Sequence, residues 1–550
     1  LIAGRKGRPA ITLKAEISPP IFSGESMTAV SPIPTPFPRS SGVLLHPTSL
    51  PGPDGIGDLG EAAFRFVDWL EKCGQSLWQI LPLGPTSFGD SPYQTLSAFA
   101  GNPLLISLDR LVRDGWLLDN DLNDRPRFDA ERVDFGPVIT WKTKMLDKAW
   151  TLFLGRGSRA HWAEFDGWCN DQPWLDDFAL FMALKEENGG QPWTGWPRDL
   201  AVREPAALAL AAERMDKRVG AHKFRQWIFF QQWRELKAFA SARGIRFVGD
   251  IPIFVAHDSS DVWARPELFQ LDRKGRPTSV AGVPPDYFSK TGQLWGNPLY
   301  DWARLKKEDY RWWVDRVKGC LESVDLVRID HFRGFEAYWE VPAKETTAIN
   351  GKWVPGPGAD FFTTLRRELG GRLPVIAEDL GVITPGVEKL RDDFDLPGMK
   401  VLQFAWSGPD NVFLPHEYVR NCVVYSGTHD NDPTLGWWKY LADAGMKELM
   451  TEYTGCPTDQ PNWTLIRLGM MSVAHTFIAT MQDVLGLGRE ARMNLPGEGK
   501  GNWNWRMSAD AFLDPAGDRL ARLTWLSRRR PDQGGPVYQD PPPPQEGQFI

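Results

Sequence analysis

Four short apolar runs in this chain end in acids. Ile245 to Asp250 ends in Asp250, and Val324 to Asp330 ends in Arg328 and Asp330. Leu373 to Glu378 ends in Glu378 with Asp379 next, and Cys422 to Asp430 ends in His429 and Asp430. A fifth run, Met399 to Phe404, ends in aromatics: Phe404, with Trp406 close behind. Gathered carboxylates with few histidines and no cysteine ligands suit two chemistries. One is a divalent-metal site; the other is cleavage of a glycosidic bond by a carboxylate pair. Arg328 favours the second. Residues i and i+2 of a strand share a face, so its guanidinium can lie beside Asp330 and keep it ionised. A cation there disfavours a metal. Any one of these acids reads more simply as a helix cap; four in the same position do not.

The runs must be strands whose ends meet. Gly42 to His46, the helix-spaced segment 61–72 and Leu77 to Leu81 form a strand–helix–strand unit, the building block of a parallel sheet. An eight-stranded parallel barrel brings the C-terminal ends of its strands to one face, where active sites sit. The alternation breaks at about 105–225, which reads as a mainly helical insertion. A long helix is predicted over 223–243, stopped by Gly244. Residues 257–300 read as a long polar loop carrying Phe269, Tyr287, Phe288 and Trp295.

The 550 residues are 42% hydrophobic and 24% charged, with a net charge of −7. This fits a folded globular chain and argues against nucleic-acid or basic membrane-surface binding. The 26 Trp beside 10 Tyr raise the odds of flat surfaces that stack on sugars, although a Trp-rich core explains the count equally well. Cys73, Cys169, Cys320, Cys422 and Cys456 are odd in number and far apart, so neither a disulfide framework nor a zinc site is expected. No apolar run is long enough to span a membrane, and no secretory signal is evident. Residues 1–40, rich in Pro and with the first Met at Met27, and 530–550, with Pro541 to Pro544, read as disordered or extraneous ends around a catalytic unit at 41–529. A transit peptide at the N-terminal end is weakened by Glu16 and Glu25.

The segments LVRIDHFRG (326–334), VIAEDLG (375–381) and YSGTHDND (425–432) resemble those of the 4-α-glucanotransferases, called amylomaltase in bacteria and disproportionating enzyme in plastids, which form glycoside hydrolase family 77. The likeness extends over roughly 41–508. It includes GVLLHPTSLPGPDGIGDLG (42–60), LPLGPTSFGDSPYQ (81–94), DIPIFVAHDSSDVW (250–263), GVPPDYFSKTGQLWGNPLYDW (282–302) and ARMNLPGEGKGNWNWR (491–506). It implies an α/β fold, a (β/α)8 TIM barrel with large, mainly helical insertions, and retaining transfer of α-1,4-glucan segments with no cofactor and no metal. Carried over by motif, Asp330 is the nucleophile, Glu378 the general acid/base and Asp430 the transition-state stabiliser. Arg328 supports the nucleophile, His429 and Asp250 bind the −1 sugar, and Tyr93 is its stacking platform. Trp295 closes over the acceptor side, and Gln293, Asp379 and Phe404 complete the substrate contacts. Retention implies carboxyl groups about 5–5.5 Å apart. In its acid role Glu378 must start protonated, and the apolar strand behind it with the nearby charges of Asp330 and Asp379 is expected to raise its pKa.

The expected partners are maltooligosaccharides and α-1,4-glucans, with no nucleic acid and no membrane, acting on a monomer or weak homo-oligomer. The expected location is the cytoplasm, or the plastid stroma if the N-terminal segment is a transit peptide. An α-1,4-glucan hydrolase on the same barrel and a non-catalytic glucan-binding protein remain the alternatives. Two departures from the family pattern stand out. Pro433 follows THDND where the family usually has Thr, and Phe88 stands where many bacterial relatives carry a Tyr used at a second glucan site.

Overall fold

The computed structural model describes residues 38–285 and 289–530. Nearly all of both terminal segments, together with Tyr287, Phe288 and the Phe88 side chain, lies outside the described residues.

Twelve strands follow in chain order: β1 (Ser40–Leu44), β2 (Leu77–Gln79), β3 (Arg246–Pro252), β4 (Ser279–Val283), β5 (Gln293–Pro298), β6 (Leu326–Asp330), β7 (Ala337–Pro342), β8 (Lys352–Pro355), β9 (Val375–Ala377), β10 (Gly398–Val401), β11 (Cys422–Tyr425) and β12 (Thr476–Thr480). Eight of them form one parallel sheet in the order β10-β11-β12-β1-β2-β3-β6-β9. Ala377 N donates to Pro397 O at 2.9 Å, which brings β9 against β10 and nearly closes the ring. The strands read as unbroken apolar runs (VIA, CVVY, TFIAT) because a parallel barrel covers both faces of its sheet. β12 carries no acid at its end and no sequence signal marked it out; its five residues are all buried.

Register explains the gathering of acids. β3 pairs with β6 so that Asp250 lies opposite Arg328, and β6 pairs with β9 so that Arg328 lies opposite Ile376. Asp250, two residues before the end of β3, Asp330 at the end of β6 and Glu378 just past β9 therefore lie near the C-terminal ends of three neighbouring strands.

The segment read as a polar loop at 257–300 holds β4 and β5, which join β7 and β8 in a four-stranded antiparallel sheet of order β5-β4-β7-β8. The strand partners of β4 include β7, which begins more than fifty residues later, so no local pattern could show this pairing. Between β2 and β3 the chain is helical, with Phe135–Arg156, Arg159–Asn170, Leu175–Glu187, Pro205–Arg214 and Asp216–Ser241 as its main helices. The last ends just before Gly244, whose φ of 70° is the left-handed turn that a helix end commonly needs. Many of the tryptophans pack here. Phe153 has ring centroids at 4.6 Å from Trp162, 5.0 Å from Trp116 and 5.5 Å from Trp227.

A buried ionic knot joins the insertion to the loop after β1. Lys142, fully buried, donates to Ile106 O at 2.7 Å and lies 3.3 Å from Asp58 and 3.8 Å from Asp54. Trp141 Nε1 also donates to Asp54 Oδ1 at 2.9 Å. Lys142→Met leaves the buried Asp58 without its cation, while Asp54 keeps Arg125 at 3.0 Å, so a loss of about 3 kcal/mol is expected in urea unfolding. A midpoint equal to that of the unsubstituted chain would show that the knot contributes nothing.

At the opposite end of the barrel, the guanidinium of Arg529 donates to the carbonyls of Met470, Ser40, His475, Gly469 and Ala474 at 2.8–3.3 Å. It caps the carbonyl end of the helix Pro461–Met471 and ties the C-terminal helix to β1.

Candidate active site

Arg328 organises the centre. Its Nη2 donates to Asp330 Oδ1 at 2.8 Å and its Nη1 to Asp250 Oδ2 at 2.7 Å. Tyr93 Oη donates to the same Asp250 oxygen at 2.8 Å. Burial works against the Arg328 charge, but Asp250 and Asp330 outweigh it and hold the guanidinium charged. Burial also pushes Asp250 up, to about 7, while Arg328 pulls it back. With two donors on one oxygen, the ionised form of Asp250 is the one this geometry serves. Its other oxygen, Oδ1, is buried without a partner and is free to accept from a ligand hydroxyl.

Glu378 is enclosed, with 9% of its surface exposed, whereas the side chain of Asp330 is 31% exposed and that of Asp430 44%. Burial raises the Glu378 pKa well above the ordinary carboxylate range, and the charge of Asp330 adds to the effect. Arg328 and two backbone N–H donors pull the other way: Leu380 N to Oε1 at 2.9 Å and His331 N to Oε2 at 2.7 Å. A buried, proton-holding carboxyl thus stands beside an ion-paired one, the environment split that separates an acid from a nucleophile.

Asp379 does not belong to this group. Its Oδ2 meets Arg391 at 2.6 Å and its Oδ1 accepts from Met399 N at 2.7 Å. A side chain on Gly398 would strike it at 2.3 Å. Its carboxylate bridges Arg391 and Met399 N at the seam between β9 and β10, whereas the sequence placed it among the substrate contacts. The largest causes of the raised pKa of Glu378 are burial and Asp330.

Asp430 is held from a distant part of the chain. Asn494 Nδ2 donates to its Oδ1 at 2.6 Å, and His429 Nε2 lies 3.3 Å from the same oxygen. Arg492 donates to the Asp430 backbone carbonyl at 2.6 Å and to Asp432 Oδ1 at 3.0 Å, while Arg489 grips Asp432 Oδ2. The motif at 491–506 was visible in the sequence, but nothing in a single chain pairs it with the end of β11. Pro433 fits this loop. It precedes the helix Thr434–Tyr440 with φ −50°, where a backbone N–H has no intrahelical acceptor, and the next N–H is taken by Asp483 at 2.6 Å.

The Tyr93 ring stacks on His429 at 5.1 Å and 19°, and both lie 5.9 Å from Trp503. Trp503 and Trp505 are both buried, and Trp503 adopts φ 63°. His46 is also structural: it accepts from Leu81 N at 3.3 Å, and burial together with His429 lowers its pKa to about 3. His257 contacts Gly275 O at 2.7 Å, and Asp258 pairs with Lys185.

On the other flank, the ring of Trp295 on β5 meets His331 edge-to-face, with centroids 4.8 Å apart, and its Nε1 donates to Gln293 at 3.2 Å. Phe404, at the end of β10, is 39% exposed and packs edge-on against Phe413 at 5.6 Å. Among the described residues, no group of three or more His, Cys, Asp or Glu could hold a metal, and no helix is long and apolar enough to cross a membrane.

Comparison with known proteins agrees with this geometry. The chain is 52% identical over 497 residues to a 4-alpha-glucanotransferase of Synechocystis, covering 90% of this chain and 98% of that one. It is 43% identical over 505 residues to the chloroplastic/amyloplastic 4-alpha-glucanotransferase of Arabidopsis thaliana, covering 90% and 87%. The fold superposes on amylomaltase from Streptococcus agalactiae, solved with acarbose, with a TM-score of 0.87 at 39% identity, covering 90% of this chain and all of that one. The family profile described as 4-alpha-glucanotransferase matches residues 45–511, and the chain belongs to that family.

Proposed function

We propose that this enzyme moves α-1,4-glucan segments between maltooligosaccharides or longer glucans by double displacement, with Asp330, Glu378 and Asp430 as its working carboxyls. The observation that carries this reading is the contrast between neighbours: Asp330 ion-paired and open to the cleft, Glu378 buried and proton-holding.

In the first step Glu378 gives its proton to the leaving glycosidic oxygen while Asp330 attacks C1. A covalent glycosyl ester forms and the acceptor-side fragment departs. In the second step Glu378, now a base, takes the proton of an incoming sugar hydroxyl, whose oxygen attacks C1 and releases Asp330. Asp430, held by Asn494, accepts hydrogen bonds from sugar hydroxyls that strengthen as positive charge develops. Tyr93, His429 and Asp250 receive the −1 sugar. Trp295, Gln293 and Phe404 receive the acceptor, and a bound acceptor outcompetes water through its high effective concentration. The chloroplastic relative suits a plastid stroma as well as a cytoplasm, and both suit five free thiols.

Product analysis tests the reading. Maltotriose should yield glucose and longer maltooligosaccharides with little net gain in reducing ends. A gain matching the number of bonds cleaved would make the chain a hydrolase, and glucan binding without turnover would make it a binding protein.

A further inference from the structure

We propose that His331 is a positioning residue that ties Glu378 to the Trp295 wall of the acceptor side. The proposal rests on the roles given above to Glu378 and Trp295.

His331 directly follows Asp330 and sits at φ 55°, ψ 47°, in the left-handed region. That conformation costs an ordinary side chain energy and is worst for β-branched residues; Gly and Asn tolerate it best. Its consequence here is directional. In extended backbone, successive N–H groups point to opposite sides of the chain. A left-handed residue instead lets two neighbouring N–H groups converge. Both converge on one residue: His331 N donates to Glu378 Oε2 at 2.7 Å, and Phe332 N donates to Glu378 O at 3.1 Å. The turn after the nucleophile strand thereby grips the side chain and the backbone of the acid/base together.

The imidazole does the second half. It meets the Trp295 ring at 84° with centroids 4.8 Å apart. On the Gly334 side, a Cβ at that glycine would lie 3.2 Å from the His331 ring, so the ring is fitted between Gly334 and Trp295. Its Nε2 is buried without a hydrogen-bond partner. Burial and Arg333 lower its pKa to about 4 against the pull of Asp330, so the ring is neutral at working pH. The largest charged influences on Glu378 are Asp330 and Arg328, beside the two backbone N–H donors from His331 and Leu380.

Three substitutions separate the two halves. His331→Val cannot hold the left-handed turn without strain. An N–H donated to a carboxylate favours its ionised form, so losing it raises the Glu378 pKa. The alkaline limb of kcat/KM, which reports loss of the Glu378 proton, should move up by about one pH unit. His331→Gly and His331→Asn keep the turn and should leave that limb in place. Both remove the ring from Trp295, so partition of the glycosyl intermediate should shift toward water by about three- to ten-fold. If His331→Val does not fold by near-UV circular dichroism, His331→Ala, with its smaller penalty, should show the same limb shift in reduced size. An unmoved limb in a folded Val or Ala variant, or an unmoved partition in the Gly variant, overturns the proposal. Hydrolysis by the unsubstituted chain would instead overturn the transferase reading on which it rests.

Discussion

Asp330→Asn is expected to lower maltotriose turnover by about 10⁴-fold or more, while glucan binding changes only a few-fold. The amide is nearly the same size and can still accept from Arg328, so the barrel end keeps its shape. Under the proposed double displacement, what it loses is the charge that attacks C1 and neutralises the oxocarbenium ion. A secondary effect follows from the same charge. Asp330 is one reason why Glu378 holds its proton above the usual range, so its removal should bring the Glu378 pKa down. Infrared titration of the Glu378 carboxyl in this variant should show that fall. Calorimetry with maltotriose should show retained binding, and turnover within ten-fold of the unsubstituted chain would remove Asp330 from the chemistry.

Arg328→Met is the second large effect. Arg328 touches two acids at once, Asp330 at 2.8 Å and the fully buried side chain of Asp250 at 2.7 Å. Without it both carboxylates lose their cation in a place water reaches poorly, so a stability loss of about 3–5 kcal/mol is expected. Turnover should fall by on the order of 10³-fold, because Asp330 loses the guanidinium that holds its carboxylate in place. The pH dependence has a definite sign. Asp250 already binds its proton more tightly folded than unfolded, near pH 7 against an ordinary carboxylate value near 4. Losing Arg328 raises it further. A group of this kind gains stability as pH falls through its folded value, so the deficit of the variant should shrink on going from pH 8 to pH 5. A deficit constant over that range would mean that the buried acids do not sense Arg328.

The sequence was most legible where the chemistry follows a strand. Asp250, Asp330, Glu378 and Asp430 could be found because each ends an apolar run, and the spacing of Arg328 from Asp330 put the two on one face before any coordinates. The family resemblance then supplied roles that spacing alone left open between a metal site and a carboxylate pair. Asp379 shows the limit of the same rule. It stands one residue past Glu378, but successive residues face opposite ways, and its carboxylate serves Arg391 and Met399. Contacts between remote segments were hidden: Asn494 on Asp430, β7 beside β4, and β12 with no acid to mark it. The left-handed turn at His331 was equally hidden, because composition gives no reason for a histidine to adopt it. The tryptophan count, first a hint of sugar stacking, is spent in large part on packing, in the helical insertion and elsewhere, while Trp295 packs edge-to-face on His331.

The most direct measurement is the site of the covalent intermediate. In Glu378→Gln, α-maltosyl fluoride can still react, because fluoride leaves without a proton, while the second step has lost its base. Displacement of fluoride by the Asp330 carboxylate should leave a maltosyl ester, seen as one added maltosyl unit in the intact mass and located by peptide mapping to the fragment containing Asp330. An ester on a different residue, or an inverted free sugar released without any adduct, would contradict the double displacement assigned to Asp330.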